Sequence, residues 1–322
     1  MSISRTVVHR AGGAVDEAEL QSLASESIGD VIQGNDRILW LDIQDPTPKD
    51  LEFLRGDFGF HELTLQDVAR GRQRPKIEHY GDYTFVIFFA LRRGRSDEIA
   101  IFIGANYLVT AHRGKVPEIE DTVERWRQNT GRMEHGVALP VYSLLDGLVD
   151  GYFPIIDEIA ERVEVLENRM FAPRGGNHVP EVLALKRDLL HLRRTLAPER
   201  EVLNVLIRRE QPLLGEDTLL YFQDIYDHII RVLDAVDLYR DQLTSLLEAH
   251  LSVVSNRLNF VMKRMTSLAT ILMSVNLVAS NYGMNFARMP ELQWEYGYFF
   301  TLGLMVTVGL VLFLIFKRLD WL

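Results

Sequence analysis

The chain has 322 residues, 47% of them hydrophobic and 25% charged, with a formal net charge of −10 and no cysteine. Without thiols it has neither disulfides nor thiolate metal sites, and its acidic balance argues against a nucleic-acid partner while suiting divalent cations. The apolar residues are concentrated, because residues 265–287 and 297–316 contain no Asp, Glu, Lys or Arg.

In chain order, residues 1–138 read as a cytosolic α/β domain. The opening "MSISRTVVHRAGGAV" has no apolar run of the kind a secretory signal needs, so the body before Lys263 is expected in the cytosol. "RILWLDI", "YTFVIFFAL", "IAIFIG" and "NYLVTAH" are rich in β-branched and aromatic residues and are expected strands. "TPKDLEFLRGDFG", "HELTLQDVAR" and the stretch from Pro117 to Gln128 are expected helices. No phosphate-binding loop, HExxH or nucleophile elbow occurs and the histidines are scattered, so no enzyme is expected.

Residues 139–216 change character. "LLDGLVDGYFPIIDEIAERVEVLENRMF" reads as one helix and "PEVLALKRDLLHLRRTLAPEREVLNVLIRR" as a second, with Pro198 as a site for a kink. The two are expected to pair as an antiparallel hairpin. Residues 217–264 read as a cytosolic stalk helix that continues into a first membrane span at 265–286. From Leu219 to Tyr282 there is no Pro or Gly, so one helix of roughly 95 Å is allowed at 1.5 Å per residue.

Residues 287–296 form the expected outer loop, 297–317 a second span, and 318–322 a cytosolic tail. Each span is about 20 residues, the length that crosses a bilayer core. Lys263 and Arg264 precede the first span, and Lys317 and Arg318 follow the second. By the positive-inside rule both termini are cytoplasmic and the chain is multi-pass in the plasma, or inner, membrane with lipid around it. Two spans are too few to enclose a polar path and a helix this long needs partners along its length, so a homo-oligomer around a common axis is expected.

Asn259, Met262, Met265, Ala269, Met273 and Asn276 are spaced 3, 3, 4, 4 and 3 apart and share one helical face. Amides stand at both ends of a row of Met and Ala. Such a face suits an apolar collar of a pore that gates by dewetting, and it equally suits a packing face in a membrane bundle.

"YGMNFARMPEL" resembles the signature of the CorA family of magnesium and cobalt channels, with Gly-Met-Asn at the end of the first span and Met-Pro-Glu-Leu in the outer loop. "QRPKIE", "YFQDIYDHIIRVLD", "LSVVSNRLNFVMK" and the terminal "WL" are similar to that family as well. The resemblance implies a funnel-shaped homopentamer: an α/β domain, a long stalk helix continuing into the pore helix, and an outer second span. It implies divalent metal uptake, with Mg²⁺ as substrate, Co²⁺ beside it, and selection at Gly283, Met284 and Asn285. Mg²⁺ gives up its octahedral water shell reluctantly, so a ring of Asn285 amide oxygens would recognise the hydrated ion. Glu291 and Glu295 are outer-loop acids placed to concentrate cations at the mouth. A divalent ion entering down the membrane potential gains about 4.6 kcal/mol per 100 mV, enough to drive uptake without another energy source.

The resemblance also implies Mg²⁺ as a regulatory ligand that holds the pore shut, with Asp224 of "YFQDIYDH" as one of its ligands. The partner carboxylate is expected after "QRPK" at the strand end, where this chain reads "LRRGRSDE". There Asp97 or Glu98 would substitute, or Arg92, Arg93 and Arg95 would leave a metal-free salt bridge to Asp224 instead. Ser274 follows the pore Met273 where the family often has Pro, and the C-terminal basic run is reduced to "KRLDWL". A ZntB-like zinc transporter and a CorA-like membrane regulator without transport are the alternatives.

Overall fold

The computed structural model describes residues 3–10, 13–14, 37–92, 95–128, 136–172, 176–208, 218–284 and 294–322, which fall into two compact units, 1–244 and 245–322. The first contains strands β1 (Ile3–Arg10), β2 (Gly13–Ala14), β3 (Arg37–Gln44), β4 (Lys76–Tyr80), β5 (Tyr83–Arg92), β6 (Arg95–Ile103) and β7 (Tyr107–His112). They form one sheet in the order β2-β1-β3-β7-β6-β5-β4, with β3 and β7 parallel and every other pair antiparallel. β5 is buried from Tyr83 to Leu91, as a nearly unbroken apolar strand covered on both faces should be.

Helices supply the two covers. α1 (Pro48–Asp57) starts at a capping box in which Thr47 and Asp50 satisfy each other's backbone N–H, with proline at its first turn. α2 (Glu62–Arg70) starts at His61 and ends at Gly71, whose φ of 61° puts it in the left-handed region. Phe60, between them, stacks on Phe102 with ring centroids 4.1 Å apart. On the opposite face Trp126 of α3 (Pro117–Gln128) meets Trp40, centroids 5.8 Å apart.

The stretch expected as one helix from Leu144 is two, α4 (Ala138–Asp150) and α5 (Phe153–Met170). Pro154 has no N–H to give to the carbonyl of Asp150, so the helix stops and restarts with proline in its first turn. α6 (Val179–Ile207) runs through Pro198 as a single helix. The expected hairpin is antiparallel: Arg162 of α5 pairs with Asp188 of α6 at 3.5 Å, and Arg169 with Glu181 at 3.9 Å. The next helix, α7, spans Leu219–Tyr282 without interruption, and its lower part is also antiparallel to α6, through Arg193–Asp237 at 2.9 Å and Lys186–Thr244 at 2.7 Å.

The break at Gly151–Tyr152 has a consequence for the sheet. β4 begins at Lys76, opposite Ile87, so the next β5 residue of the same parity, Phe89, paired with Glu98 of β6 on one side, has no β4 partner on the other. Glu199 of α6 and Tyr152 fill the place. Phe89 N–H donates to Glu199 Oε1 at 2.9 Å, and the Tyr152 hydroxyl donates to Phe89 O at 2.6 Å, with Glu199 Oε2 3.1 Å from the Tyr152 oxygen. Glu199 is fully buried, and burial pushes its carboxyl well above the usual range. The Tyr152 hydroxyl thus lies within hydrogen-bond distance of both Phe89 O and Glu199 Oε2.

The second unit holds the end of α7 and helix α8 (Gly297–Arg318). Among the described residues α8 is the one helix long and apolar enough to cross a membrane, with a mean hydropathy of 2.6. The end of α7 is less apolar because Asn276, Ser280 and Asn281 dilute it. Several of its hydroxyls are satisfied inside the helix: Thr270 donates to Thr266 O and Ser274 to Thr270 O, each at 2.8 Å. α8 does the same, with Thr301 on Gly297 O and Thr307 on Gly303 O. At one end of α8 stand Trp294, Tyr296 and Tyr298, and at the other Lys317, Arg318 and Trp321. Aromatics at both ends and cations at one are the pattern of a membrane-spanning helix at its two interfaces.

Candidate functional site

All six residues of the amide-and-methionine face, Asn259, Met262, Met265, Ala269, Met273 and Asn276, lie on α7 and all are exposed, Met273 at 75%. At about 100° per residue they fall within an arc of about 120°. The positions that the second unit does cover centre on Ser267, Ile271, Ser274, Val275, Val278 and Tyr282, about 180° away by the same count. α8 lies on that covered side, where a methyl built on Gly309 would sit 3.6 Å from Val275. From Met265 to Asn276 the face is therefore not packed by α8, while Asn259 and Met262 share a pocket with Trp321 beyond α8.

α7 stops at Tyr282. The Gly283 N–H donates to the carbonyls of Ala279 at 3.0 Å and Ser280 at 3.2 Å, so those two carbonyls are engaged in closing the helix rather than left open to an ion. A Cβ at Gly283 would stand 3.3 Å from Ala279 O, a close approach, and the Gly283 backbone is not in the left-handed region. Met284 is exposed, as is Glu295 beside Trp294. Asn285 and Glu291 lie outside the described residues.

A second group of ligand atoms was not expected from the sequence. Asp146 and Asp150 of α4 and His228 of α7 bring one ligand atom each to within 4.8 Å of one another. His228 Nδ1 is 3.5 Å from Asp150 Oδ1, and its Nε2 is 3.8 Å from Asp224 Oδ1, one turn earlier on α7. The Nδ1 atom is buried with no hydrogen bond among the described residues. Burial raises the Asp146 carboxyl, and the nearby Asp150 and Asp224 carboxylates add to it while His228 and Arg125 oppose. Two carboxylates, an imidazole and a further carboxylate at the edge make a donor set that accepts Mg²⁺ through its waters and Co²⁺, Ni²⁺ or Zn²⁺ directly. The signal was present as two i,i+4 pairs, Asp146/Asp150 in "LLDGLVD" and Asp224/His228 in "DIYDH".

The strand-end residues do not join this group within the chain. Arg92 of β5 and Arg95 of β6 both pair with Asp97, at 2.8 and 2.6 Å, so the salt bridge forms within the β5–β6 pair and not to Asp224. Glu98 is turned to backbone, accepting the N–H of Gln73 at 2.7 Å.

The family described as CorA-like Mg²⁺ transporter protein matches residues 35–318. "Putative metal ion transporter YfjQ" of Bacillus subtilis is 35% identical over 284 residues, covering 88% of this chain and 89% of that protein. "Cobalt/magnesium transport protein CorA" of Thermotoga maritima is 38% identical over 273 residues, covering 82% of this chain and 78% of its own. The structure titled "The complete structure of CorA magnesium transporter from Methanocaldococcus jannaschii" aligns over 100% of both chains with a TM-score of 0.80 at 24% identity, a likeness of fold. The chain thus belongs to the CorA family of divalent metal-ion transporters, which are membrane proteins and not enzymes.

Proposed function

We propose that the protein is a passive channel for divalent cations, Mg²⁺ first and Co²⁺ beside it, formed by a homopentamer with α7 lining the path. What carries this reading is the exposed face of α7, polar at both ends and apolar between, turned away from α8. Copies arranged around an axis would bury that face against a narrow path, with Met262, Met265 and Met273 as the constriction. None of the six positions is ionisable, which favours conduction over proton coupling. The end of α7 serves as the first span and α8 as the second, both termini being cytoplasmic, and Asn285 with Gly283 and Met284 receives the hydrated ion.

Protein in liposomes with an inside-negative potential should admit Mg²⁺ to a trapped dye, and external cobalt hexaammine should block entry. That complex copies the size and octahedral shape of hydrated Mg²⁺ but holds its ligands, so a site that strips water would ignore it. Uptake insensitive to the complex would overturn selection of the hydrated ion, and absence of uptake from a folded oligomer would favour the regulator reading.

The Asp146, Asp150, His228 and Asp224 group serves as the cytosolic sensor that closes the path when internal metal is high. Asp146→Asn combined with His228→Ala removes two of its donors. The internal Mg²⁺ needed for half-inhibition should then rise by about tenfold or more, the scale of losing a ligand. An unchanged inhibition curve would remove the group from gating.

A further inference from the structure

The parallel pair β3 and β7 sits where the sheet's connections part. After β3 the chain passes to α1 and α2 on the Phe102 face, and after β7 it passes to α3 on the Trp40 face. In α/β sheets the carboxyl ends of such diverging parallel strands frame a crevice where ligands bind. The crevice is present here as a cavity of about 270 Å³ whose lining includes Pro46 after β3, His112 and Arg113 at the end of β7, and Gly71 and Arg72 after α2. Its floor is small, with Ser96, Ala100 and Ala111 beneath it.

The charges around it are not balanced. Arg72, Arg95 and Arg113 line the cavity against Asp97 and Glu98. Asp97 is shared by Arg92 and Arg95. Glu98, half-buried, is engaged by backbone N–H groups, and burial raises its carboxyl. Arg113 is fixed by a hydrogen bond from Nη2 to Ala69 O near the end of α2. Among the described residues the Arg72 side chain has no ion pair or hydrogen bond, and its backbone stands at φ 62°, an uncommon conformation for a residue with a Cβ. Glu98 holds the Arg72 and Gln73 N–H groups and so maintains that conformation. A free guanidinium held on a strained backbone beside two others is the kind of outlier that points to a ligand.

We propose that this crevice binds a small phosphate-bearing anion, of pyrophosphate or mononucleotide size, with Arg72, Arg95 and Arg113 as its contacts. Three guanidinium groups lining one cavity, with Glu98 given to backbone N–H groups, offer more donors than Asp97 can use and match the oxygens of a phosphate. The site shares no residue with the amide-and-methionine face or the Asp146 group, so it stands or falls independently of the ion path.

Calorimetric titration of the full chain in detergent, with EDTA present so that no metal bridges the anion, tests it. Inorganic pyrophosphate and adenosine monophosphate are the two probes, with sulfate as competitor. One of them should bind saturably below about 1 mM. Arg72→Ala removes a side chain with no ion pair or hydrogen bond among the described residues and should leave the melting temperature unchanged while weakening that binding at least tenfold, and Arg74→Ala beside it should not weaken it. Tighter binding of the nucleotide would assign the ligand to that source, and tighter binding of pyrophosphate to the inorganic one. No saturation by either probe, equal displacement by sulfate, or unchanged affinity in Arg72→Ala would each overturn the proposal.

Discussion

Ala269→Trp is expected to stop metal entry, lowering the potential-driven rate by at least about tenfold, because an indole from each copy would fill the apolar collar proposed for this face. Ala269 is exposed on the face of α7 that α8 leaves open, between Met265 and Met273. The matching control is Val306→Trp on α8, where the residue is 67% exposed and on no proposed path. Both variants add a similar bulk to a membrane-facing helix, so a general failure of insertion would affect them alike. Uptake lost in the first and kept in the second, with both running as the same oligomer by size exclusion, supports α7 as the pore wall. Equal uptake in the two would move the path elsewhere.

Glu199→Leu is expected to destabilise the first unit by about 1–3 kcal/mol, the cost of leaving the buried Phe89 N–H without an acceptor. Glu199→Gln keeps the pattern, since its carbonyl oxygen accepts from Phe89 and its amide donates to the Tyr152 oxygen. The pH dependence separates the two roles of the acid. Its folded value is raised well above the ordinary 4.5, so the native state keeps a proton that the unfolded chain releases. The stabilisation from this group is therefore fully present below about pH 4.5 and declines as pH rises toward the folded value, by about 1.4 kcal/mol per pH unit. Melting of the wild type and of Glu199→Gln in detergent should coincide near pH 4.5, and the glutamine variant should melt progressively higher as pH rises to 8. A constant difference between them across that range would mean that Glu199 is ionised in the fold.

The strands of the interior were legible because a strand covered on both faces has to be apolar throughout, as "YTFVIFFAL" is. β4 was not: it is an edge strand, "KIEHY", whose polar side chains meet solvent and each other through Lys76 and Glu78 at 2.7 Å. β1, "ISRTVVHR", carries too few apolar residues to stand out, and its place in the sheet comes from pairing with β3. The start of β6 in "RSDE" was hidden for a related reason, since Asp97 is tolerable in a buried strand only once Arg92 and Arg95 reach it.

The sequence by itself determined the unbroken length of α7, because 64 residues without Pro or Gly have no local cause to stop, and it determined the membrane character of α8, because length and apolarity are properties of a segment alone. It also identified the family, through "YGMNFARMPEL". Tertiary structure alone decided which side of α7 stays open, since spacing marks a face but not what covers it. It alone brought Asp146 and Asp150 to His228 across some eighty residues of chain, raised Arg72 over its crevice, and made Glu199 a substitute for a missing strand residue. Each of these rests on a partner from another element, and a side chain's charge, exposure and proton are set by that partner.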